Sequence, residues 1–158
     1  MDNIETKDES FVKIKENAKD LYEKSRKIFC PYFNSEIILN SDGFHHLQFS
    51  ARRERNKSEQ ILKFNLLPLA LKTIRKSGTI QEYRCSMMSY GNVGKDGLQK
   101  MKRLEYWAFI AIPGEDKKIK IKTIVRRVGD GNIIFWSVMP YSKLRNGQKM
   151  YSGDLEEE

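Results

Sequence analysis

Lys118-Ile119-Lys120-Ile121-Lys122-Thr123-Ile124-Val125-Arg126-Arg127 is the stretch on which the fold turns. In an extended strand successive side chains point to opposite faces. Ile119, Ile121, Thr123 and Val125 therefore share one side, and Lys118, Lys120, Lys122 and Arg126 share the other. Such a strand packs its apolar side on helices and offers cations on the second. The cations are either a solvated guard against edge-to-edge aggregation or a track for phosphates.

The flanks extend this strand into a sheet. Pro113-Gly114-Glu115-Asp116 precedes it and Gly129-Asp130-Gly131 follows, each a tight connection, with β-rich runs beyond from Leu104 to Ile112 and from Ile133 to Met139. A further run, Thr79 to Met87, comes before a polar loop containing Gly91, Gly94 and Gly97, with Tyr83, Cys85 and Met87 on one side and Glu82 and Arg84 on the other. Parallel neighbours need crossovers of a dozen or more residues, so these short connections predict a four-stranded antiparallel meander.

Upstream the apolar period changes to that of helices. Thr6 and Glu9 have capping-box spacing, and Phe11, Ile14, Ala18, Leu21, Tyr22, Ile28 and Phe29 predict a first helix reaching about Cys30, where Pro31 stops it. Phe33 to Leu39 holds a short apolar piece of strand length, and Asn40-Ser41-Asp42-Gly43 leads into a short second helix around Phe44-His45-His46-Leu47. Asn56 and Glu59 repeat the cap spacing ahead of a third, strongly apolar helix kinked by Pro68 and ending near Gly78. The expected fold is α+β, with N-terminal helices packed on one face of a four-stranded antiparallel sheet. An acidic segment, 1–10, precedes a single domain, 11–141, and a polar tail with an acidic end, 142–158, follows it.

The 158 residues carry 29 Lys and Arg against 21 Asp and Glu. The two acidic ends conceal how basic the middle is: residues 11–150 hold 28 basic and 13 acidic side chains, a formal +15. That excess calls for a polyanionic partner, of which nucleic acid is the commonest and an anionic membrane surface the main competitor, or for simple solvation. Cys30 and Cys85 lie far apart in apolar company, which suits reduced core thiols and a cytoplasmic setting. The acidic start has no apolar run of signal length and no segment approaches a membrane span, so no membrane partner is expected and the Asn56-Lys57-Ser58 sequon carries no weight.

Several chemistries are absent from the motifs. The Gly94-Lys95 loop lacks the spacing and following hydroxyl of a P-loop, and neither G-x-G-x-x-G nor G-x-S-x-G occurs in context. Two adjacent histidines and two remote cysteines make no tetrahedral zinc set, and Glu36, Asp42 and Glu54 make no two-metal cluster. No cofactor or metal is expected.

What remains is imidazole beside guanidinium. His45 and His46 are the two histidines, and Arg52, Arg53, Arg55 and Lys57 follow them. On a helix adjacent side chains diverge by about 100°, so the pair cannot share one pocket wall equally. Metal-free RNA cleavage through the 2′-hydroxyl needs a base, an acid and fixed positive charge for the phosphorane-like transition state. Histidine and clustered arginine supply these; the plainer reading of residues 51–57 is a solvated basic turn. Arg126, on the face of Lys122, is the better-placed strand arginine for a phosphate. Ser137 in the last strand could bond a phosphate oxygen, and Tyr141 could stack a base or donate a proton. Lys120, Lys122 and Arg84 extend the cationic face.

Helices, a histidine-bearing segment, and then a four-stranded meander resemble the barnase/EndoU/colicin/RelE superfamily of small metal-independent ribonucleases, in its phage- or toxin-associated branch. Gly43-Phe44-His45-His46-Leu47 before the basic stretch, the strand from Ile119 to Arg127 and Phe135-Trp136-Ser137-Val138 carry the resemblance, over about residues 33–141. It implies that His46 matches the helix histidine of such enzymes, with Arg126 and Ser137 as the strand residues. The substrate class it implies is RNA, transfer or messenger, and a toxin-like member would be held by a cognate inhibitor protein. The sequence departs from the better-known members in having no separated second histidine and no clear Glu partner. Two other readings stay open: a non-catalytic RNA- or DNA-binding module, and a partner protein whose lysine face is only solvated.

Overall fold

The computed structural model describes residues 2–115 and 118–141, with side chains from residue 8 onward, so the tail 142–158 lies outside the described residues. In chain order the elements are α1 (Asp2–Ser25), β1 (Lys27–Cys30), β2 (Ser35–Ile38), α2 (Ser41–Gln48), α3 (Lys57–Lys76), β3 (Glu82–Tyr90), β4 (Lys100–Ala111), β5 (Ile121–Val128) and β6 (Ile134–Pro140). The fold is α+β, with three helices and one mixed six-stranded sheet in the order β1-β2-β6-β5-β4-β3.

The antiparallel meander β3 to β6 is present, but the sheet is larger than the four strands expected. Lys27 to Cys30, read above as the end of the first helix, is a strand. Its residues fit both periods, and tertiary burial selects the two-residue one: Ile28 and Cys30 are buried while Lys27 and Phe29 are exposed. Arg26, at φ 36°, breaks the helix one residue past Ser25. β1 and β2 form a hairpin, and β2 then joins the meander by pairing parallel to β6 at Ile38 and Ile134. The acidic residues at the N-terminus lie in the first turns of α1, which begins at Asp2, so Thr6 and Glu9, read above as a capping pair, fall inside the helix.

α3 runs continuously through Pro68, capped by Asn56, whose side chain accepts from the Glu59 amide. It buries Phe64, Leu67, Ala70, Leu71 and Ile74 against the sheet face that carries Trp107, Phe109, Ile121, Val125 and Phe135. Each such large side chain removed from water contributes about 1.5–3 kcal/mol. The opposite sheet face holds a second, smaller cluster of Tyr106, Ala108, Ile124 and Met139, with Leu104 and Trp136 against it.

That second cluster changes the reading of the cationic face. Lys122 is 3% exposed and its ammonium lies 2.8 Å from Glu82 on β3, so it is an internal ion pair, not a solvated track. Lys118 and Lys120 are exposed but precede the strand, which begins at Ile121. Along the β3–β4 hairpin Tyr83, Cys85, Met87 and Met101 are exposed, which overturns the placing of Cys85 in the core; Cys30 is buried. Among the described residues no helix is long and apolar enough to cross a membrane.

Candidate active site

α2 is short, and its position is fixed by close contact. Asn40 caps it, accepting from the Gly43 amide at 3.1 Å, and the Tyr22 hydroxyl of α1 donates to the Asn40 carbonyl. Gly43 presses on β6 so closely that a β-carbon there would overlap the Phe135 carbonyl oxygen and the Tyr22 hydroxyl. Behind the helix, Phe44 stacks on Phe64 with centroids 5.7 Å apart and tilts against Tyr22 at 5.3 Å. Aromatic pairs of this kind add roughly 0.5–1.5 kcal/mol each beyond the area they bury.

This seating decides which histidine faces water. Gly43, His46 and Leu47 form the buried stripe of α2, three and four residues apart, and His46 is 5% exposed. His45 is exposed and stacks on Phe49 at 4.4 Å. The helix stops at Gln48, so Arg52 and Arg53 lie on a separate loop and do not continue its flanks.

His46 and Arg126 both lie against the indole of Trp136. The imidazole stacks on it at 4.1 Å, and the guanidinium carbon of Arg126 sits 3.7 Å over the ring. A bulge places the indole. β5 and β6 pair Ile124 with Ser137 and Val125 with Phe135, which leaves Trp136 as the extra residue. A bulged strand bends and re-aims the side chain at the bulge.

Arg55 fixes His46 from the other side. Its Nε donates to the His46 carbonyl at 3.1 Å, and its Nη2 lies 3.3 Å from His46 Nε2. Guanidinium can only donate, which assigns Nε2 as an acceptor and puts the ring proton on Nδ1.

The result is a cleft of about 340 Å³ between α2, the loop after it and the sheet, lined by His45, His46, Arg126 and Trp136 together with Tyr106, Asp42, Phe49, Ser50 and Ala51. Tyr106 arrives through register, since β4 sets it directly across from Arg126. Arg126 Nε and Trp136 Nε1 are shielded from solvent and have no hydrogen-bond partner. Buried donors are paired in all but a few per cent of cases. Both residues line the cleft, and their two donors are among the buried side-chain atoms left unbonded.

The other expected site residues are distributed differently. Arg52 is exposed on the loop and does not line the cleft, and Arg53 is spent on Glu59 at 3.0 Å. Lys57 pairs with Asp8 and lies over the Phe11 ring at 5.5 Å, which ties α3 to α1. Ser137 is fully buried and accepts from Lys63 of α3 at 3.1 Å, so it is a core contact and does not line the cleft. Lys120 lies over Tyr141 at 5.3 Å beside the opposite end of β5. Six residues of strand separate Lys120 from Arg126, about 20 Å. Arg84 is exposed on the edge strand, across from Tyr106.

Tyr106, Trp136 and Ser50 were not singled out for chemistry from the sequence with His45 and Arg126. The signal available for Trp136 was its place in an otherwise apolar strand; the bulge that aims it has no mark of its own there. Among the described residues no group of three His, Cys, Asp or Glu side chains could hold a metal. No family model, no curated protein and no solved structure matches the chain.

Proposed function

We propose that the chain is an RNA endonuclease that uses this cleft to cut by attack of the neighbouring 2′-hydroxyl on the phosphodiester. The observation that carries the reading is the convergence of an exposed imidazole, His45, with Arg126 and Trp136 around one cleft, each of the latter two bearing a buried donor left unbonded. His45 takes the proton from O2′ as O2′ bonds to phosphorus. Arg126 neutralises the charge that builds on the non-bridging oxygens. Tyr106, across the strand from Arg126, is the candidate donor to the leaving O5′. The products are a 2′,3′-cyclic phosphate and a 5′-hydroxyl. His46 acts through Trp136 and Arg55 as a positioning residue; its burial moves the base role, given above to the match of His46, to its neighbour. Ser137 has no part in this scheme.

Labelled RNA incubated with the full chain in excess EDTA tests the proposal. Cleavage to cyclic-phosphate ends is expected, with His45→Ala slower by about 10²–10⁴-fold. Intact RNA after prolonged incubation at high protein concentration ends it.

The binding-module reading keeps one observation of its own: with His46 buried and its Nε2 engaged by Arg55, the chain has a single exposed imidazole. Salt-sensitive binding of RNA or DNA without cleavage would establish that reading in place of the first.

A further inference from the structure

A second and larger cavity, of about 720 Å³, lies on the other side of His45, between the end of α1, β2 and α2. His45 lines both cavities and is the one lining residue they share. The volume is within the roughly 300–1,000 Å³ of small-molecule sites. One wall is apolar, from Leu39 and Phe44; the rim carries Lys19, Arg26 and Lys27 against a single acid, Glu23. Lys27 is shared with Glu36 at 3.9 Å.

Arg26 is the informative residue. It occupies the left-handed position just past α1, at φ 36°, with its amide donating to the Tyr22 carbonyl at 3.2 Å and its carbonyl accepting from Leu39 at 2.7 Å. Glycine, or else asparagine, is the residue for such a position. A long cation there costs backbone strain that the turn itself does not require, and strain held at one residue points to a use for its side chain.

We infer that this cavity binds the RNA nucleotide next to the one cut, its phosphate on Arg26 and Lys19 and its base against the Phe44 and Leu39 wall. The strand then crosses His45 from one cavity to the other, and the substrate is an oligonucleotide running through both. The inference rests on the proposed function for the position of the cut, but the binding itself does not need the chemistry.

The test uses the full chain and an octanucleotide of 2′-methoxy RNA, which cannot be cut by its own 2′-oxygen. Arg26→Gly removes the cation and relieves the backbone. Its thermal midpoint should stay within about 3 °C of the parent, because lost strain offsets gained chain entropy. Its affinity should fall about five- to tenfold, and the slope of log affinity against log salt should flatten by about 0.7. Arg26→Asn, which also tolerates positive φ, should behave alike, and Arg26→Lys should recover most of the affinity. Lys76→Ala, an equal loss of charge at the end of α3, should change affinity less than about twofold.

Undiminished binding by Arg26→Gly overturns the inference even if natural RNA is cut. A large loss of thermal stability in both Arg26→Gly and Arg26→Asn overturns it too, because the arginine would then be structural. Weakened binding with no cleavage of natural RNA keeps the cavity as a nucleotide site while removing the endonuclease reading.

Discussion

Arg126 and Arg127 are neighbours in one strand, and they face opposite sides of the same sheet. Arg127 is closed: its Nε and Nη2 donate to Glu105 at 3.2 and 2.7 Å, and Glu105 also accepts from the Tyr83 hydroxyl at 2.7 Å. Arg126 is open: its guanidinium carbon lies over the Trp136 ring and its Nε is buried with no hydrogen-bond partner. The residue type and local backbone are alike, so the contrast comes from what the sheet sets opposite. Register gives Arg127 a carboxylate and gives Arg126 a phenol. A saturated cation holds strands together, whereas one left with a donor is held ready for a ligand.

The contrast breaks most visibly by truncating each arginine. Arg126→Ala should lower RNA cleavage by about 10²–10³-fold, as loss of a preorganised donor does, with little change in unfolding midpoint. Arg127→Ala should leave cleavage within a few-fold, measured in the same gel assay. Equal effects on cleavage would remove the distinction between the two.

Gly43→Ala tests whether the open side depends on the seating of α2. A methyl group driven into the Phe135 carbonyl should cost about 1–3 kcal/mol in denaturant unfolding, and cleavage should fall with it because both histidines ride on that helix.

On the closed side, Arg127→Ala strands a carboxylate that is 5% exposed, and should cost about 1–3 kcal/mol of stability. Glu105→Gln sharpens this through pH. Burial pushes the Glu105 carboxyl up, but the Tyr83 hydroxyl and the Arg127 guanidinium outweigh it and hold the group below its ordinary value of 4.5. The folded value lies below the unfolded one, so the unfolded chain takes up the proton first. The stabilisation is complete above the unfolded value and is lost as pH falls through the folded one. Unfolding midpoints measured from pH 7 downward should therefore drop more steeply in the parent than in Glu105→Gln.

The smallest effect is expected at Tyr83. Its hydrogen bond to Glu105 pushes the phenol up to about 12. Tyr83→Phe should cost only about 0.5–1 kcal/mol, and it should remove one late-ionising phenol from an ultraviolet titration, leaving that of Tyr22, which burial also pushes up.

The meander, the three helices and the Asn56 cap could be read from the sequence, because each is written in local periodicity and cap chemistry; the Thr6–Glu9 spacing misled, since both residues lie inside α1. The segment from Ile28 to Cys30 could not, since its apolar residues satisfy a helix and a strand alike and only burial against α3 separates them. His45, His46 and Arg126 could be placed together as candidates from residue type alone. Which histidine is exposed could not, because it depends on Gly43 meeting the β6 backbone. Lys122 looked like part of a solvated stripe because alternation reports sides and not cover; Glu82 and the second apolar cluster enclose it. Ser137 misled for a related reason: its partner, Lys63, is 74 residues away.

The order of the sheet has a consequence for the growing chain. β6 is the last of the described strands in chain order yet lies third in the sheet, joining the early hairpin to the rest of the meander. Until Pro140 has left the ribosome, the hairpin and meander have no shared neighbour, and α2 has no floor under its histidines. Any activity residing in that cleft is thereby withheld until β6 has been made, a delay written into topology.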